Sequence, residues 1–223
     1  MTTTATATAP GPAETWTGGR ILNLDNFRAA SVNRVPYPHM SCAGTLNPAA
    51  LPALRQDYPD LHEAGFHPLD AFEAKGAFKQ LLAEVQDGEL SQAMTDKFGI
   101  DFTTRPMLIT VRKMCKPHEG RAHVDGKSKI ATLLIYMHSG WASPEGRIRV
   151  LNGKNMDDYS FEMPPDEGNL FTFLRSEDSW HGHTPFEGER RVLQIAWLDS
   201  QDSMDRKLKR HHVSHFFKKL WGG

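Results

Sequence analysis

The stretch that decides the fold is Arg121-Ala122-His123-Val124-Asp125-Gly126, answered 56 residues beyond Asp125 by Trp180-His181-Gly182 and ten residues beyond His181 by Arg191. In an extended segment, residues two apart point the same way, so His123 and Asp125 can face one point while Val124 turns away. The third group must come from another strand, and a closed double sheet brings such distant positions together. Two neutral imidazoles and one hard carboxylate suit a first-row divalent metal, and three facial ligands leave half of an octahedral shell open. A polar network or a structural zinc site is the plain alternative for the same three residues. His183 shares a strand face with His181 and competes with it for the third place; the alternative for His183 is a pocket residue or a loop histidine.

Working outward, the flanking segments read as strands. Met107–Met114 is rich in β-formers. Ile130–His138 is a near-continuous apolar run, as expected of a strand covered on both faces. Gly146–Leu151 alternates, Tyr159–Met163 is short, Asn169–Leu174 follows a Glu167-Gly168 turn, and Arg191–Leu198 closes the set. In the last segment Arg191, Leu193, Ile195 and Trp197 share a face and Arg190 takes the other. A guanidinium at the base of an apolar-lined pocket grips a carboxylate through two parallel hydrogen bonds, which points to Arg191 and an acidic co-substrate. A salt bridge is the plain alternative for this arginine. Thr132 and Tyr136 share a face and can add hydroxyl contacts, Tyr136 being equally readable as core.

Before this region the period is helical. Ile21-Leu22-Asn23-Leu24 is a candidate first strand, and Pro36-Tyr37-Pro38-His39 is extended by its prolines. Asn47-Pro48 opens a helix that ends near Tyr58-Pro59. Ala71–Lys97 carries two apolar stripes separated by Asp87-Gly88. Residues 1–17 hold almost nothing large and read as a disordered lead. Residues 203–220 form a basic helix. It reads as a solvated amphipathic helix packed on the domain, or as a weak contact to an anionic surface.

The expected architecture is therefore α+β with a mainly β core. It is a jelly-roll or cupin-like double sheet, with helices packed on one sheet and a basic C-terminal helix over 201–223. Residues 18–200 form one domain with its core at 104–199. A formal net charge of −1 gives no electrostatic case for nucleic acid. The two cysteines, Cys42 and Cys115, offer neither a disulfide framework nor a CxxC pair, which fits a reducing compartment. No run approaches the roughly 18 apolar residues of a membrane span, and the start resembles no secretory signal, so a cytoplasmic location is expected.

His123-x-Asp125, His181 and Arg191 resemble the signature of the Fe(II)- and 2-oxoglutarate-dependent oxygenases, specifically the prolyl-hydroxylase-like branch. Further pieces are similar to that branch. They include Thr132–Trp141, Glu145–Arg149 (with the second glycine of "GG-x-L-x-F" replaced), Asp166–Phe173, Trp180-His181-Gly182 and Arg191-x5-Trp197. The resemblance covers about 104–199. It implies a double-stranded β-helix, with Fe(II) on His123, Asp125 and His181. It implies 2-oxoglutarate paired with Arg191 and contacted by Tyr136, Thr132 and Trp197, O2 as co-substrate, and ascorbate as a stimulant. Succinate and CO2 are the implied by-products. The chain departs from the branch on the strand before His123, where a tyrosine that contacts 2-oxoglutarate is replaced by Arg112 and Lys113. Those two residues, with Arg149 and His183, are candidate substrate contacts. The expected substrate is a small or glycan-linked molecule, anionic or a sugar acid. A peptidyl-prolyl hydroxylase and a non-catalytic metal or 2-oxoglutarate sensor are the alternatives.

Overall fold

A computed structural model describes residues 16–210. Most of the disordered lead expected at 1–17 and of the basic helix expected at 203–220 falls outside them. Four helices, α1 (Asp25–Ala29), α2 (Leu51–Asp57), α3 (Gly76–Gln86) and α4 (Glu89–Phe98), precede most of the strands. The strands are β1 (His39–Cys42), β2 (His67–Pro68), β3 (Met107–Cys115), β4 (Lys129–Tyr136), β5 (Ile148–Leu151), β6 (Tyr159–Met163), β7 (Leu170–Leu174), β8 (His181–His183) and β9 (Gly188–Leu198). Residues 201–210 are again helical.

Two antiparallel sheets face each other. The larger has the order β1-β7-β4-β9-β3-β2 and the smaller β6-β5-β8. This is the double-stranded β-helix. Strand β4 lies between β7 and β9. One face, through Ala131, Leu133 and Ile135, meets the helices; the other, through Leu134 and Tyr136, meets the smaller sheet. Coverage on both sides explains why its sequence is apolar without alternation.

The helices build the largest of the three apolar clusters among the described residues. Phe78, Leu81 and Val85 of α3 and Leu90 and Met94 of α4 pack on Ile109, Leu133, Ile195 and Trp197 of the sheet. Asn47 caps the turn before α2, its carboxamide accepting from the Ala49 N–H. Asp87-Gly88 separates α3 from α4, and Gly88, at φ 97°, supplies the left-handed residue at that joint.

Two expectations at this end are corrected. The segment Ile21–Leu24 is not a strand. Its backbone N–H groups at Ile21 and Leu22 are taken by the buried Glu84 carboxylate on α3, at 2.7–3.0 Å. The second helical region also starts later than Ala71, at Gly76. There Asp57, from the end of α2, accepts from the Ala77 N–H at 2.8 Å. Both corrections have one cause: a distant carboxylate satisfies backbone donors that local sequence leaves open.

Candidate active site

The site sits between the sheets, where β8 and the 121–126 segment approach each other. His123 and His181 exchange backbone hydrogen bonds, N–H to carbonyl, at 2.9 and 3.0 Å. Gly182 permits this approach: a Cβ there would stand 2.6 Å from the Arg121 carbonyl oxygen. Tyr37, in the extended lead to β1, donates from its hydroxyl to the Trp180 carbonyl and ties down the residue before His181.

His123, Asp125 and His181 each bring one ligand atom to within 4.8 Å of the others. The rings of His123 and His181 lie 4.3 Å apart, centroid to centroid. Each imidazole is already oriented. Nδ1 of His123 faces the Arg121 carbonyl at 3.0 Å and Nδ1 of His181 faces the Ser179 carbonyl at 2.8 Å. A carbonyl only accepts, so both Nδ1 atoms carry the proton and both Nε2 lone pairs are left for a metal. Asp125 accepts from Thr132 Oγ1 at 2.6 Å and from Lys129 Nζ at 2.9 Å. Burial resists ionisation of Asp125. The ammonium of Lys129, the neighbouring His181 and the two hydrogen bonds outweigh it and hold the carboxyl well below the usual carboxylate range. Burial, opposed by Asp125, lowers the His181 pKa to about 4, so the ring is neutral. The donor set of two neutral nitrogens and one carboxylate fits Fe(II).

A cavity of about 500 Å³ opens beside these residues. His183, Arg112 and Arg190 line its walls, together with Leu134 and Ile148. Among the described residues, four buried polar atoms in this region have no hydrogen-bond partner: Arg112 Nε, Tyr136 Oη, His183 Nε2 and Arg190 Nη2. Arg190, 2% exposed, donates from Nε to the Gly146 carbonyl at 2.8 Å, and its guanidinium carbon is 5.3 Å from the Tyr136 ring centre. Arg112 lies over the Phe66 ring at 4.1 Å and reaches Glu119 at 3.3 Å. Burial, then Arg190, pushes the His183 pKa down to about 3.

Four candidates from the sequence lie elsewhere. The parity reading of β9 holds, but its inward face is the other one. Leu193, Ile195 and Trp197 face the helices. Trp197 donates from Nε1 to Ser91 Oγ on α4 at 3.1 Å. Arg191 pairs with Glu189 at 2.6 Å, donates to the Arg55 carbonyl at 3.1 Å and covers the Tyr58 ring at 5.0 Å. Arg190, Val192, Gln194 and Ala196 face inward instead, so the cavity has Arg190 and not Arg191. The physical reason is that both faces of β9 are covered, and the more apolar face belongs to the helices. Lys113 points outward to Asp60 at 2.6 Å. Arg149 is engaged by Glu162 at 2.6 Å and lies over Tyr159.

His183, Arg112, Tyr136 and Thr132 do belong to this region. Thr132 has its hydroxyl committed to Asp125. Sequence reasoning missed Lys129, Arg190 and the two cations of the last helix that also line the cavity, Lys207 and Arg210. For Arg190 the signal was present in the doublet Arg190-Arg191; for Lys207 and Arg210 no local signal exists.

No curated protein sequence matches the chain. Among solved structures it resembles a Pseudomonas putida prolyl-4-hydroxylase, with TM-score 0.52 and 18% identity over 73% of this chain and 92% of that one. It also resembles the viral collagen prolyl hydroxylase of Paramecium bursaria Chlorella virus-1 in its 2-oxoglutarate complex, with TM-score 0.52 and 15% identity over 73% and 96% of the two chains. At these identities the likeness is one of fold. Residues 109–199, which run from β3 through β9 and include all three metal-site residues and Arg190, match the model of one family. That family is the 2OG-Fe(II) oxygenase superfamily, and the match supports a 2-oxoglutarate-dependent Fe(II) dioxygenase.

Proposed function

We propose that this dioxygenase hydroxylates a C–H bond of a small or glycan-linked molecule, with Fe(II) on His123, Asp125 and His181 and the far carboxylate of 2-oxoglutarate against Arg190. One observation carries the reading. A His-Asp-His set shares a single cavity with a buried guanidinium whose Nη2 has no partner. An unpaired buried charge is costly, and a bound carboxylate offsets that cost with charge-assisted hydrogen bonds.

When bound, iron and 2-oxoglutarate supply the oxidation, O2 being divided between succinate, formed with CO2, and the hydroxylated product. The chain's own residues do the rest. Nδ1–H of His123 and of His181 fixes each ring. Thr132 and Lys129 hold Asp125 ionised and oriented. Arg190 and Arg112 offset the charge of a dicarboxylic acid, and the unpartnered Tyr136 hydroxyl lies beside Arg190 to add a hydrogen bond. Leu134 and Ile148 keep water from one wall.

A small substrate is favoured by the size of the cavity and by its rim, which Lys207 and Arg210 of the last helix help to form. The second reading, a peptidyl-prolyl hydroxylase, draws support from the likeness of fold to prolyl hydroxylases. A missing donor would have favoured the sensor reading, and His123, Asp125 and His181 are all present. Among the described residues no helix is long and apolar enough to cross a membrane.

The test is succinate formation from 2-oxoglutarate with Fe(II), ascorbate and air, for the intact chain and for His181→Ala, followed by a screen of sugar acids, amino acids and proline peptides. Stimulation by a small acid is expected. Stimulation by proline peptides alone would move the assignment to the second reading. Succinate at equal rates from His181→Ala would remove His181 from the metal site.

A further inference from the structure

The C-terminal helix lines the cavity, and it brings two cations, Lys207 and Arg210, that form no ion pair among the described residues. Ser200 starts this helix, its hydroxyl accepting from the Ser203 N–H at 3.3 Å. Met204 and Leu208 seat it on Leu108, Ala196 and Leu198 at the end of the larger sheet. With those two residues held against the sheet, Lys207 and Arg210 reach the cavity. The ammonium of Lys207 stands over the metal-site segment: a Cβ built on Gly126, the residue after Asp125, would lie 3.8 Å from Lys207 Nζ.

Two groups of cations are thus present, at different places. Arg112 and Arg190 gather around His183 and Tyr136. Lys207 gathers with Lys129 around Asp125 and Gly126. Lys129 is committed to Asp125, whereas Lys207 and Arg210 have no ion pair among the described residues. Lys207 is half-buried, and burial followed by the charge of Lys129 lowers its pKa against the opposing, more weakly felt carboxylates of Asp125 and Asp199. A half-buried ammonium and a guanidinium at one rim, neither in a direct ion pair among the described residues, favour an anion there. The first group accounts for a dicarboxylic co-substrate, and the second is surplus to it.

We propose that Lys207 and Arg210 form an oxyanion-binding rim that selects substrates bearing a carboxylate or phosphate group and holds that group beside the metal site. This rests on the reading of the cavity given above and adds to it the chemical class of the substrate. The helix that roofs the cavity then acts as a specificity element.

The experiment uses the full chain loaded with Mn(II) and saturated with 2-oxoglutarate. Inorganic phosphate and, in a separate arm, carboxyl-labelled acetate are titrated, and the paramagnetic relaxation of the phosphorus or carbon nucleus is followed. Manganese-dependent relaxation of at least one anion is expected, and the better binder names the oxyanion. Its dissociation constant should rise tenfold or more in the double variant Lys207→Gln/Arg210→Gln. Lys207→Arg should retain most of the affinity, and Lys79→Gln, which removes one positive charge on the far helix α3, should leave it within twofold. Relaxation of neither anion would overturn the proposal. So would an unchanged constant in the double variant, or an equal rise in Lys79→Gln. Binding of 2-oxoglutarate is read separately from water-proton relaxation in the same samples. Its failure would overturn the reading of the co-substrate site, while the anion titration would still decide the rim.

Discussion

Replacing Arg190 and, separately, its neighbour Arg191 by leucine tests how β9 is oriented. Arg190 is buried and its Nη2 is unpartnered within the cavity. A forked guanidinium gives a carboxylate two charge-assisted hydrogen bonds, each contributing about 1.5–3 kcal/mol. Losing both costs about 3–6 kcal/mol, which at about 1.4 kcal/mol per decade is a roughly 10²- to 10⁴-fold weaker Kd for 2-oxoglutarate. Arg191 sits on the helix side, on Glu189, the Arg55 carbonyl and the Tyr58 ring. Its loss should lower stability by about 1 kcal/mol and leave the Kd within twofold. Arg190→Lys keeps the charge and loses the fork, so an intermediate Kd is expected. The assay is calorimetric titration of 2-oxoglutarate into Mn(II)-loaded protein, with a thermal melt of each variant to verify folding. A large loss in Arg191→Leu with no loss in Arg190→Leu would refute the orientation argued here.

Thr132→Val removes the 2.6 Å hydrogen bond to Asp125 at nearly constant volume; metal affinity should fall about 10- to 100-fold, and an unchanged Kd for Mn(II) would show that Lys129 alone orients the carboxylate. Glu84→Ala strands the N–H groups of Ile21 and Leu22. It should cost about 2–5 kcal/mol in urea unfolding, and a loss under about 0.5 kcal/mol would contradict the buried role given to Glu84. Trp197→Phe breaks the bond to Ser91 and should cost about 1 kcal/mol with no change in 2-oxoglutarate affinity; a shifted Kd would return Trp197 to the cavity. In metal-free protein, burial lowers the pKa of His39, His138, His181 and His183, the last two to about 4 and about 3. The unfolded chain takes up protons below about pH 6.5 and the folded chain does not, so stability is present above that pH and is lost as pH falls towards 4. The melting temperature should drop steadily between pH 7 and 4.5, and a flat or rising profile would show these rings to be free to protonate.

Much of this molecule is legible in short stretches, because strand geometry is local. The i, i+2 rule put His123 and Asp125 on one side of an extended segment, and the apolar run Ile130–Met137 marked a strand covered on both faces. Asn47-Pro48 and Asp87-Gly88 punctuated the helices through their own backbone preferences. In the sequence, the Trp180-His181-Gly182 context and the ten-residue gap to Arg191 favour His181 over His183.

The same periodicity carried the reading of β9 only halfway. It separates Arg190 from Arg191, but it is silent on which face looks inward. Apolarity normally answers that question. Here it misleads, since the helix side of β9 is a packed core of Leu193, Ile195 and Trp197, while the cavity side, with Arg190 and Gln194, serves a polar ligand. Sequence by itself therefore determined the sheet architecture and brought His123, Asp125 and His181 forward as one candidate metal-ligand set, with the chemistry such a set suits. Only the tertiary structure decided which arginine enters the cavity, that Glu84 and Asp57 would cap distant backbone, and that Lys207 and Arg210 would close over the site. Each of these depends on how one covered element is seated against another, and no period of two or of 3.6 residues encodes that seating.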